Sequence, residues 1–256
     1  MINDYQQGLV SIIMPCYNGE QFIVETIKSV QSQTYTNWEL LVIDDGSTDD
    51  SVNIVRSFAK EDSRIFQISQ KNAGSAVARN NGIKRSKGQY LALLDSDDLW
   101  MPDFLNSQIN FMKKKDAICV CCTYGRIDEN SNDILKPVKA KPVITSKDME
   151  AIDYIGCLAG LYDQSKYGKI YLHEELKSLL DDYAFWIDVV NLEGVAYGNS
   201  ELLAKYRLRK NSLTGKKSKL IKVHYQFYRN YREFGLIKSL GCVLRWGIAG
   251  VIKYSS

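Results

Sequence analysis

Residues 90–98 read Tyr-Leu-Ala-Leu-Leu-Asp-Ser-Asp-Asp, an apolar run that ends in clustered carboxylates. The apolar part, 90–94, predicts a buried β-strand, and the acids fall in the loop after it. Like charges repel, and burying them without a counter-ion costs several kcal/mol each. A divalent cation would relieve that repulsion, because Mg²⁺ and Mn²⁺ prefer carboxylate oxygens. The alternative is an acidic cap, with Asp97 or Asp98 at the N-terminus of the helix after Pro102.

The same pattern of an apolar strand followed by a polar loop occurs twice more in the first half of the chain. The run at 9–14 ends at Pro15 and an Asn-Gly turn, and the run at 38–43 ends at Asp44-Asp45-Gly46. Between the strands, apolar residues recur at helical spacing. The predicted helices are 20–31, 51–59 and 75–86, and the third strand is 64–69.

This alternation predicts an α/β fold with a mostly parallel, Rossmann-like central sheet and helices on both faces. Ligands bind beyond the carboxyl ends of the strands in such sheets. The polar segments that follow the strands are therefore expected to converge on one edge and to form a single site. These segments are Pro15-Cys16-Tyr17-Asn18, Asp44-Asp45-Gly46-Ser47 and Asp95-Ser96-Asp97.

Beyond Lys113 the pattern is mixed. We expect strands at 117–124 and 201–209, an extended stretch at 137–145 and a helix at 181–192. Acids suit the first turn of a helix, so Asp181 and Asp182 have a structural explanation as well as a chemical one.

Five motifs stand in a fixed order within residues 8–214. They are Ser11 to Asn18 (SIIMPCYN), Glu39 to Asp49 (ELLVIDDGSTD), Asn72-Ala73-Gly74 with Ala78-Arg79-Asn80, Leu94 to Asp98 (LDSDD), and Asp182 to Trp186 (DYAFW). In order and spacing they resemble the family-2 glycosyltransferases of the GT-A fold. Two later segments, Gly168-Lys169-Ile170-Tyr171 and Tyr206 to Ser212, resemble the branch that builds bacterial teichuronic acid, capsule or O-antigen.

The resemblance implies an inverting transfer of a hexose, glucose or galactose, from a UDP-sugar to a lipid-linked (undecaprenyl diphosphate) saccharide. The base would stack on Tyr17 and donate to Asp45, and the ribose would face Asp95. Asp97 would ligate Mn²⁺ or Mg²⁺ on the diphosphate, and Asp182 would be the general base. Other residues expected around the nucleotide-sugar are Pro15, Asn18, Asn72, Gly74, Arg79 and Ser96. Those expected around the acceptor or its diphosphate are Asp181, Trp186, Tyr206, Arg207 and Arg209.

The implied reaction needs a cation and one base. The departing nucleoside diphosphate gains negative charge as the anomeric bond breaks, so a bridging cation stabilises it. The acceptor hydroxyl is a weak nucleophile until a carboxylate takes its proton. The like charge of Asp181 would raise the pKa of Asp182 and strengthen it as that base.

Several of these residues also have a structural explanation, which the sequence leaves open. Tyr17 could pack over the sheet edge, and Asp45 could cap the helix that follows it. Arg79 could be a solvated helix residue rather than bind phosphate or form a structural salt bridge, and Trp186 could belong to the core rather than stack on a sugar. The related pattern often has His near position 209, so Arg209 leaves open whether that side chain touches the metal.

Charge is unevenly distributed along the 256 residues. The net charge of +3 combines +8 on residues 215–256, which hold nine Lys or Arg and the single acid Glu233, with −5 on residues 1–214. We therefore predict a glycosyltransferase domain at 1–214, with a nucleotide-sugar half at 8–115 and an acceptor half at 116–214, and a basic helical tail at 215–256. A basic tail suits an anionic partner, and the acidic remainder argues against nucleic acid.

The tail predicts helices that lie on a membrane rather than cross it. Lys238, Arg245 and Lys253 interrupt the apolar residues 236–254, and an Arg at mid-span costs about 2.5–3.5 kcal/mol. An amphipathic surface helix fits better, although a pair of helices packed on the catalytic domain is equally open. The predicted apolar face is Leu236, Leu240, Val243, Leu244, Gly247 and Val251, and Lys238, Cys242, Arg245, Ala249 and Lys253 share another face.

We expect a cytoplasmic enzyme, peripheral on the inner face of the cell membrane. The N-terminus lacks the basic start and apolar run of a signal peptide, and the six cysteines lie mostly in apolar contexts. Cys119 and Cys122 have C-x-x-C spacing, but the apolar strand around them favours buried free thiols over zinc.

Two other functions compete with this interpretation. A sugar nucleotidyltransferase would need a Gly-rich, basic loop after the first strand, where this chain has Pro15-Cys16-Tyr17-Asn18. A non-catalytic, basic-tailed module for membranes or nucleic acid would give no role to Asp97 or Asp182.

Overall fold

The computed structural model describes residues 5–176, 180–209 and 217–255, with the side chains of 217–219 and 251–255 left aside. Strands and helices alternate in the first half, as the apolar periodicity predicts. The elements are β1 (Gln6–Cys16), α1 (Ile23–Gln31), β2 (Trp38–Asp44), α2 (Ser51–Glu61), β3 (Ile65–Ser69), α3 (Ser75–Arg85), β4 (Gly88–Leu93), β5 (Leu99–Trp100) and α4 (Phe104–Lys115).

The second half adds strands to the same sheet and ends in helices. Its elements are β6 (Cys119–Ile127), β7 (Asp133–Val138), β8 (Val143–Thr145), β9 (Gly160–Asp163), α5 (Asp181–Asn191), β10 (Val195–Arg207), α6 (Lys217–Gln226) and α7 (Leu236–Ser255). A π-helical turn, Phe227–Tyr231, follows α6. Short 3₁₀ helices lie at Asp148–Glu150, Cys157–Ala159 and Glu174–Leu176.

One ten-stranded sheet runs through the described part of the molecule in the order β3-β2-β1-β4-β9-β6-β10-β5, with β7 beside β6 and β8 beside β10. The strands β3, β2, β1 and β4 are parallel, as are β6 and β10. In contrast, β9 is antiparallel to both of its neighbours, β4 and β6. The predicted fold class is confirmed, and its parallel arrangement belongs chiefly to the first half.

Both faces of the sheet are buried, which explains the unbroken apolar runs in the sequence. Ile12 and Met14 face a core cluster that includes α1, and Ile13 faces another that includes α3 and α5. Helix α3 lies close to the sheet because Gly82 has no side chain: a Cβ there would lie 2.6 Å from Ile13 Cγ2. Arg79, on the same helix, is thereby brought to the edge where the strands end.

The sequence prediction missed β9 and placed the start of β10 too late. Strand β9 has four residues, too few to show a period. Strand β10 begins at Val195 rather than near 201, and its register against β6 shifts near Asn199 and Leu202. These shifts interrupt the regular alternation of side chains that identifies a strand in a sequence.

The C-terminal helices pack on the rest of the chain. Phe227, Tyr228 and Cys242 are buried in the core cluster that also contains residues of α5. Lys238 of α7 forms an ion pair with Glu150, with 2.8 Å between Nζ and Oε1. Packing of these helices on the domain, one of the two arrangements that the sequence left open, is therefore observed, and the boundary between 214 and 215 stays a prediction.

The outer face of α7 is apolar. Large side chains there that are more than half exposed are Leu236, Ile237, Leu240, Leu244 and Ile248. Cys242, which the sequence placed on the polar face, is buried against the domain, and Lys238 on that face pairs with Glu150. Val243, from the predicted apolar face, packs against the same core cluster, whereas Arg245, from the other predicted face, is exposed. The side of α7 that packs inward therefore matches neither predicted face. Across the described residues, none of the helices has the length and hydropathy of a membrane span.

Candidate active site

The ends of β1, β2 and β4 and the start of α5 border one cavity of about 500 Å³. From the first half it is lined by Pro15, Cys16, Tyr17, Asp45, Ser75, Arg79, Asp95, Ser96 and Asp97. The rest of the lining is Asp153, Leu180, Asp181, Asp182, Tyr183, Tyr206, Arg207, Arg209, Leu220 and Val223. The three polar segments that the sequence singled out therefore meet at one site, and Asp182 borders the same space.

A larger hollow of about 710 Å³ lies at the outer edge of the sheet, beside β3. Its lining is apolar with basic residues such as Arg85 and Lys87, and its one acid is Glu39. The Glu39 carboxylate already accepts hydrogen bonds from Ser11 Oγ and from the backbone N–H of Lys87. This hollow has no cluster of acids, so the smaller cavity is the candidate active site.

Arg79 joins the two halves of the cavity. Its guanidinium is buried, with Nη2 2.5 Å from Asp95 Oδ1 and Nη1 3.0 Å from Asp181 Oδ2. Burial lowers the pKa of Arg79, but the carboxylates around it, Asp95 first, more than offset this and raise its pKa above the ordinary value. Arg79 is therefore not a solvated helix residue, and of the phosphate and salt-bridge roles that the sequence also left open, the salt bridge is observed.

Asp182 lies in the first turn of α5 and is partly exposed to the cavity. Burial, and then the charge of Asp181, raise the pKa of Asp182 to about 6, while Arg79 acts in the opposite direction. The sequence predicted the effect of Asp181 but not the larger effect of burial. A carboxylate with this pKa is ionised at neutral pH and is a stronger base than an ordinary Asp.

The three carboxylates after β4 have different environments. Asp95 is held by Arg79. Asp98 is buried and accepts a hydrogen bond from the backbone N–H of Arg207 at 2.8 Å. Asp97 is partly exposed and borders the cavity. Burial, followed by the charge of a neighbouring carboxylate, raises the pKa of both Asp97 and Asp98, so the repulsion that the sequence indicated is present.

Asp97 is the acid of this loop that suits a divalent cation. Its Oδ2 lies 3.2 Å from Nη1 of Arg209, so a positive charge already stands against it. In the described part of the chain, no three His, Cys, Asp or Glu side chains are grouped to hold a metal ion. A cation held by the Asp97 carboxylate would therefore have to complete its coordination with substrate phosphates and water.

Tyr17 borders the cavity with its side chain 55% exposed, so it does not pack over the sheet edge. Pro15 and Ser96 also border the cavity. Asn18 does not: its Oδ1 accepts a hydrogen bond from the backbone N–H of Thr48 at 2.8 Å. Asn18 thus fastens the loop after β1 to the loop after β2, which holds Tyr17 at the cavity.

Asp45 organises the loop before α3. Its carboxylate accepts hydrogen bonds from the backbone N–H groups of Ala73 and Gly74 and from Gln70 Nε2, each at 2.8 Å. Gly74 has a φ of 96°, which side chains other than glycine rarely adopt. Asn72 and Gly74 do not themselves line the cavity. Of these three residues predicted to bind the nucleotide-sugar, Asp45 is the one that borders the cavity.

Two residues that the sequence assigned to the acceptor or its diphosphate have other roles. Trp186 is fully buried, and its indole packs against the backbone of Gly160. Arg207 borders the cavity, but its side chain is fully enclosed, and its guanidinium donates to the backbone oxygen of Asp97 and to Glu25 Oε2, both at 2.7 Å. We therefore correct both predictions: Trp186 is a core residue, and Arg207 supports the loop that carries Asp97.

Tyr206 and Arg209, the other residues of that motif, border the cavity as predicted, and Lys210, Asn211 and Ser212 lie outside the described residues. Sequence reasoning missed one wall of the cavity. Leu220 and Val223 of α6 contribute to it, although they belong to the predicted tail. Their three-residue spacing is typical of one face of a helix, but the partner of that face is remote in sequence and could not be predicted.

Comparisons with known proteins agree with this geometry. The sequence model of "Glycosyl transferase family 2" matches residues 11–171. The chain is 33% identical over 246 residues to the putative teichuronic acid biosynthesis glycosyltransferase TuaG of Bacillus subtilis, covering 96% of this chain and 97% of that protein. It is 34% identical over 259 residues to Escherichia coli WfgD, a UDP-Glc:alpha-D-GlcNAc-diphosphoundecaprenol beta-1,3-glucosyltransferase, covering 99% and 97%.

Solved structures share the fold. S. aureus TarS in complex with UDP superimposes with a TM-score of 0.67 at 18% identity, covering 92% of this chain and 80% of that one. The mannosyltransferase PcManGT of Pyrobaculum calidifontis, in complex with GDP-Man and Mn²⁺, gives a TM-score of 0.68 at 15% identity, covering 98% and 77%. The motifs, the family match and the shared fold agree. The chain therefore belongs to glycosyl transferase family 2 and is a glycosyltransferase of the GT-A fold.

Proposed function

We propose that this enzyme transfers a hexose, glucose or galactose, from a UDP-sugar to a saccharide on undecaprenyl diphosphate, with inversion, during synthesis of a bacterial surface polysaccharide such as O-antigen or capsule. The observation that carries the proposal is that Asp97, in the loop after β4, and Asp182, in the first turn of α5, lie 85 residues apart in sequence and border one cavity. The activity in the name of WfgD and the biosynthetic process in the name of TuaG support these substrate classes.

The donor occupies the side of the cavity formed by the first half of the chain. Tyr17 offers an exposed ring on which the uracil stacks. Asp45 borders the same space with its carboxylate already oriented by Ala73 and Gly74, so it accepts a hydrogen bond from the base without rearranging. Asp95, held from behind by Arg79, faces the ribose.

Asp97 would hold Mn²⁺ or Mg²⁺ beside the donor diphosphate. A cation bound there stabilises the negative charge that develops on the departing UDP. The loop that carries Asp97 is fixed by Arg207, whose guanidinium donates to the Asp97 backbone oxygen, and by Asp98, which accepts from the Arg207 backbone. These contacts keep the carboxylate in position before the donor binds.

Asp182 removes the proton from the acceptor hydroxyl as that oxygen attacks the anomeric carbon. Its pKa of about 6 lies near the operating pH, which favours general-base catalysis. The acceptor enters past Leu220 and Val223 of α6, an apolar wall beside the acids. Such a wall suits the part of the acceptor that adjoins its lipid.

The outer face of α7 is the membrane contact in this proposal. Exposed leucine and isoleucine side chains lie on that face, and residues 215–256 carry a net charge of +8. Apolar side chains that enter the lipid boundary, combined with basic residues near anionic head groups, are the features of a helix that lies on a membrane. A lipid-linked acceptor would then reach the cavity from the inner face of the cell membrane.

The test is a panel of nucleotide-sugars with a synthetic lipid diphosphate-GlcNAc acceptor, assayed with Mn²⁺, with Mg²⁺ and with EDTA. We expect transfer from a UDP-hexose in the presence of metal, and NMR of the product should show an anomeric configuration opposite to that of the donor. Equal transfer in EDTA would rule out the cation role of Asp97. A retained configuration would rule out a single displacement by the acceptor hydroxyl with Asp182 as its base.

A further inference from the structure

Arg209 stands where the divalent cation of the proposed reaction is expected to act. Its Nη1 lies 3.2 Å from Oδ2 of Asp97, the carboxylate assigned to the metal. The guanidinium carbon of Arg209 lies 5.4 Å from the ring centroid of Phe22, so the aromatic ring supports the side chain from one side. Asp97 is therefore already neutralised by a cation that belongs to the protein.

Comparison with the neighbouring Arg207 shows that the contact between Arg209 and Asp97 is not a fixed part of the fold. The Arg207 side chain is fully enclosed, and its guanidinium also donates to the backbone oxygen of Asp128 and to Ser131 Oγ. In contrast, the Arg209 side chain is 41% exposed and lies beyond the end of β10. Arg209 can move away from the Asp97 carboxylate because its own charge is already in contact with solvent. Arg207 cannot, because its charge is buried among its hydrogen-bond partners.

We propose that Arg209 is an exchangeable cation that occupies Asp97 until a divalent metal arrives, and that it then moves to the donor diphosphate. The proposal rests on the function proposed above. In this exchange the metal replaces the guanidinium on the carboxylate, and the released guanidinium donates hydrogen bonds to phosphate oxygens. Planar guanidinium groups suit phosphates because they present paired N–H donors.

The exchange has opposite effects on the binding of metal alone and on the binding of metal together with UDP. Metal alone must displace Arg209, so its binding is weakened by the ion pair that it breaks. Metal together with UDP gives the displaced guanidinium a new partner, so the two ligands bind with positive coupling. Replacing Arg209 with a neutral residue should therefore strengthen the binding of metal alone and weaken the binding of UDP with metal.

The experiment measures Mn²⁺ binding to the full chain by the EPR signal of free Mn²⁺, first without nucleotide and then with UDP. Arg209→Gln should bind Mn²⁺ alone about two- to fivefold more tightly than wild type, the range of a partly exposed ion pair. Its affinity for UDP in saturating Mn²⁺, measured by calorimetry, should fall by about tenfold or more, as expected for lost hydrogen bonds to a charged group.

Arg85→Gln, an exposed arginine at the end of α3, is the matched control and should change neither affinity. Asp97→Asn should lose Mn²⁺ binding. If Arg209→Gln binds Mn²⁺ alone no more tightly than wild type while Asp97→Asn loses it, the exchange is overturned and the proposed function stands. If Asp97→Asn binds Mn²⁺ like wild type, the metal role of Asp97 in the proposed function fails, and the exchange fails with it.

Discussion

Arg79 on α3 and Asp181 at the start of α5 are 102 residues apart in sequence, and their side chains meet at 3.0 Å inside the cavity. The same guanidinium binds Asp95 in the loop after β4. One buried cation thus connects the loop that carries the proposed metal ligand with the helix that carries the proposed base. The relative position of the two acids that the reaction needs depends on this contact.

Removing the charge of Arg79 should destabilise the protein strongly. Arg79→Met leaves the buried Asp181 and the partly exposed Asp95 without their counter-ion, and we expect a loss of about 3–5 kcal/mol in the free energy of unfolding. Chemical denaturation measures this loss. Lys166→Gln is the control: the Lys166 side chain is 60% exposed and pairs with Glu193, and breaking that pair should cost less than about 1 kcal/mol. Equal losses in the two variants would contradict the structural role of Arg79.

Asp182→Asn should stabilise the folded protein at neutral pH. The pKa of Asp182 is raised from 3.8 to about 6 in the folded state, so between these values the folded state keeps a proton that the unfolded state has released. Stability then falls as pH rises through this window. Asn cannot ionise, so its advantage over Asp should be small near about pH 4 and complete above about pH 7.

Denaturation curves of both proteins across that pH range measure this difference. Asp133→Asn is a useful control, because the Asp133 carboxylate is exposed and pairs with Lys205 outside the cavity. A difference between Asp182→Asn and wild type that does not change with pH would show that Asp182 titrates normally.

Trp186→Ala should damage the fold rather than acceptor recognition. The side chain is fully buried beside Gly160, and the cavity left by its removal should cost about 3–5 kcal/mol. Thermal unfolding measures this loss, and Trp186→Phe should recover part of it. If Trp186→Ala kept full stability and raised only the KM for acceptor, the residue would be a sugar platform after all.

Leu244→Asp on the outer face of α7 should weaken membrane binding without destabilising the protein. Leu244 is 65% exposed, so the charge costs little in the free protein, whereas at a lipid surface a buried Leu is worth about 1.5–3 kcal/mol, or about tenfold or more in partition. Flotation with anionic liposomes measures the effect. Val24→Asp, on the exposed side of α1, is the control, and equal flotation of both variants would remove α7 as the membrane contact.

The local pattern of apolar and polar residues was sufficient to predict much of the nucleotide-sugar half, residues 8–115. Apolar runs and helical spacing in the sequence identified β1 to β4. The geometry of a parallel sheet then placed Tyr17, Asp45 and Asp97 at one edge. These are short-range signals followed by a general rule of topology. The same signals missed β9, which is short and gains its place only by pairing with β4 and β6.

Contacts between segments that are distant in sequence explain why some residues have a role other than the predicted one. Arg207 and Arg209 are two positions apart and chemically identical, yet one is enclosed by Glu25 and the loop of Asp97, and the other is partly exposed. Trp186 lies in a helix that is apolar nearly all round, so its sequence could not distinguish a buried ring from a ring in the cavity. Only the packing of distant segments separates these cases.

The most direct test of the central claim is single-turnover transfer by Asp182→Asn beside wild type, with donor and Mn²⁺ bound before acceptor is added. We predict a rate lower by about 10²–10⁴-fold with an unchanged affinity for UDP and Mn²⁺, because Asp182 acts on the acceptor hydroxyl. Transfer by Asp182→Asn at the wild-type rate would contradict the account.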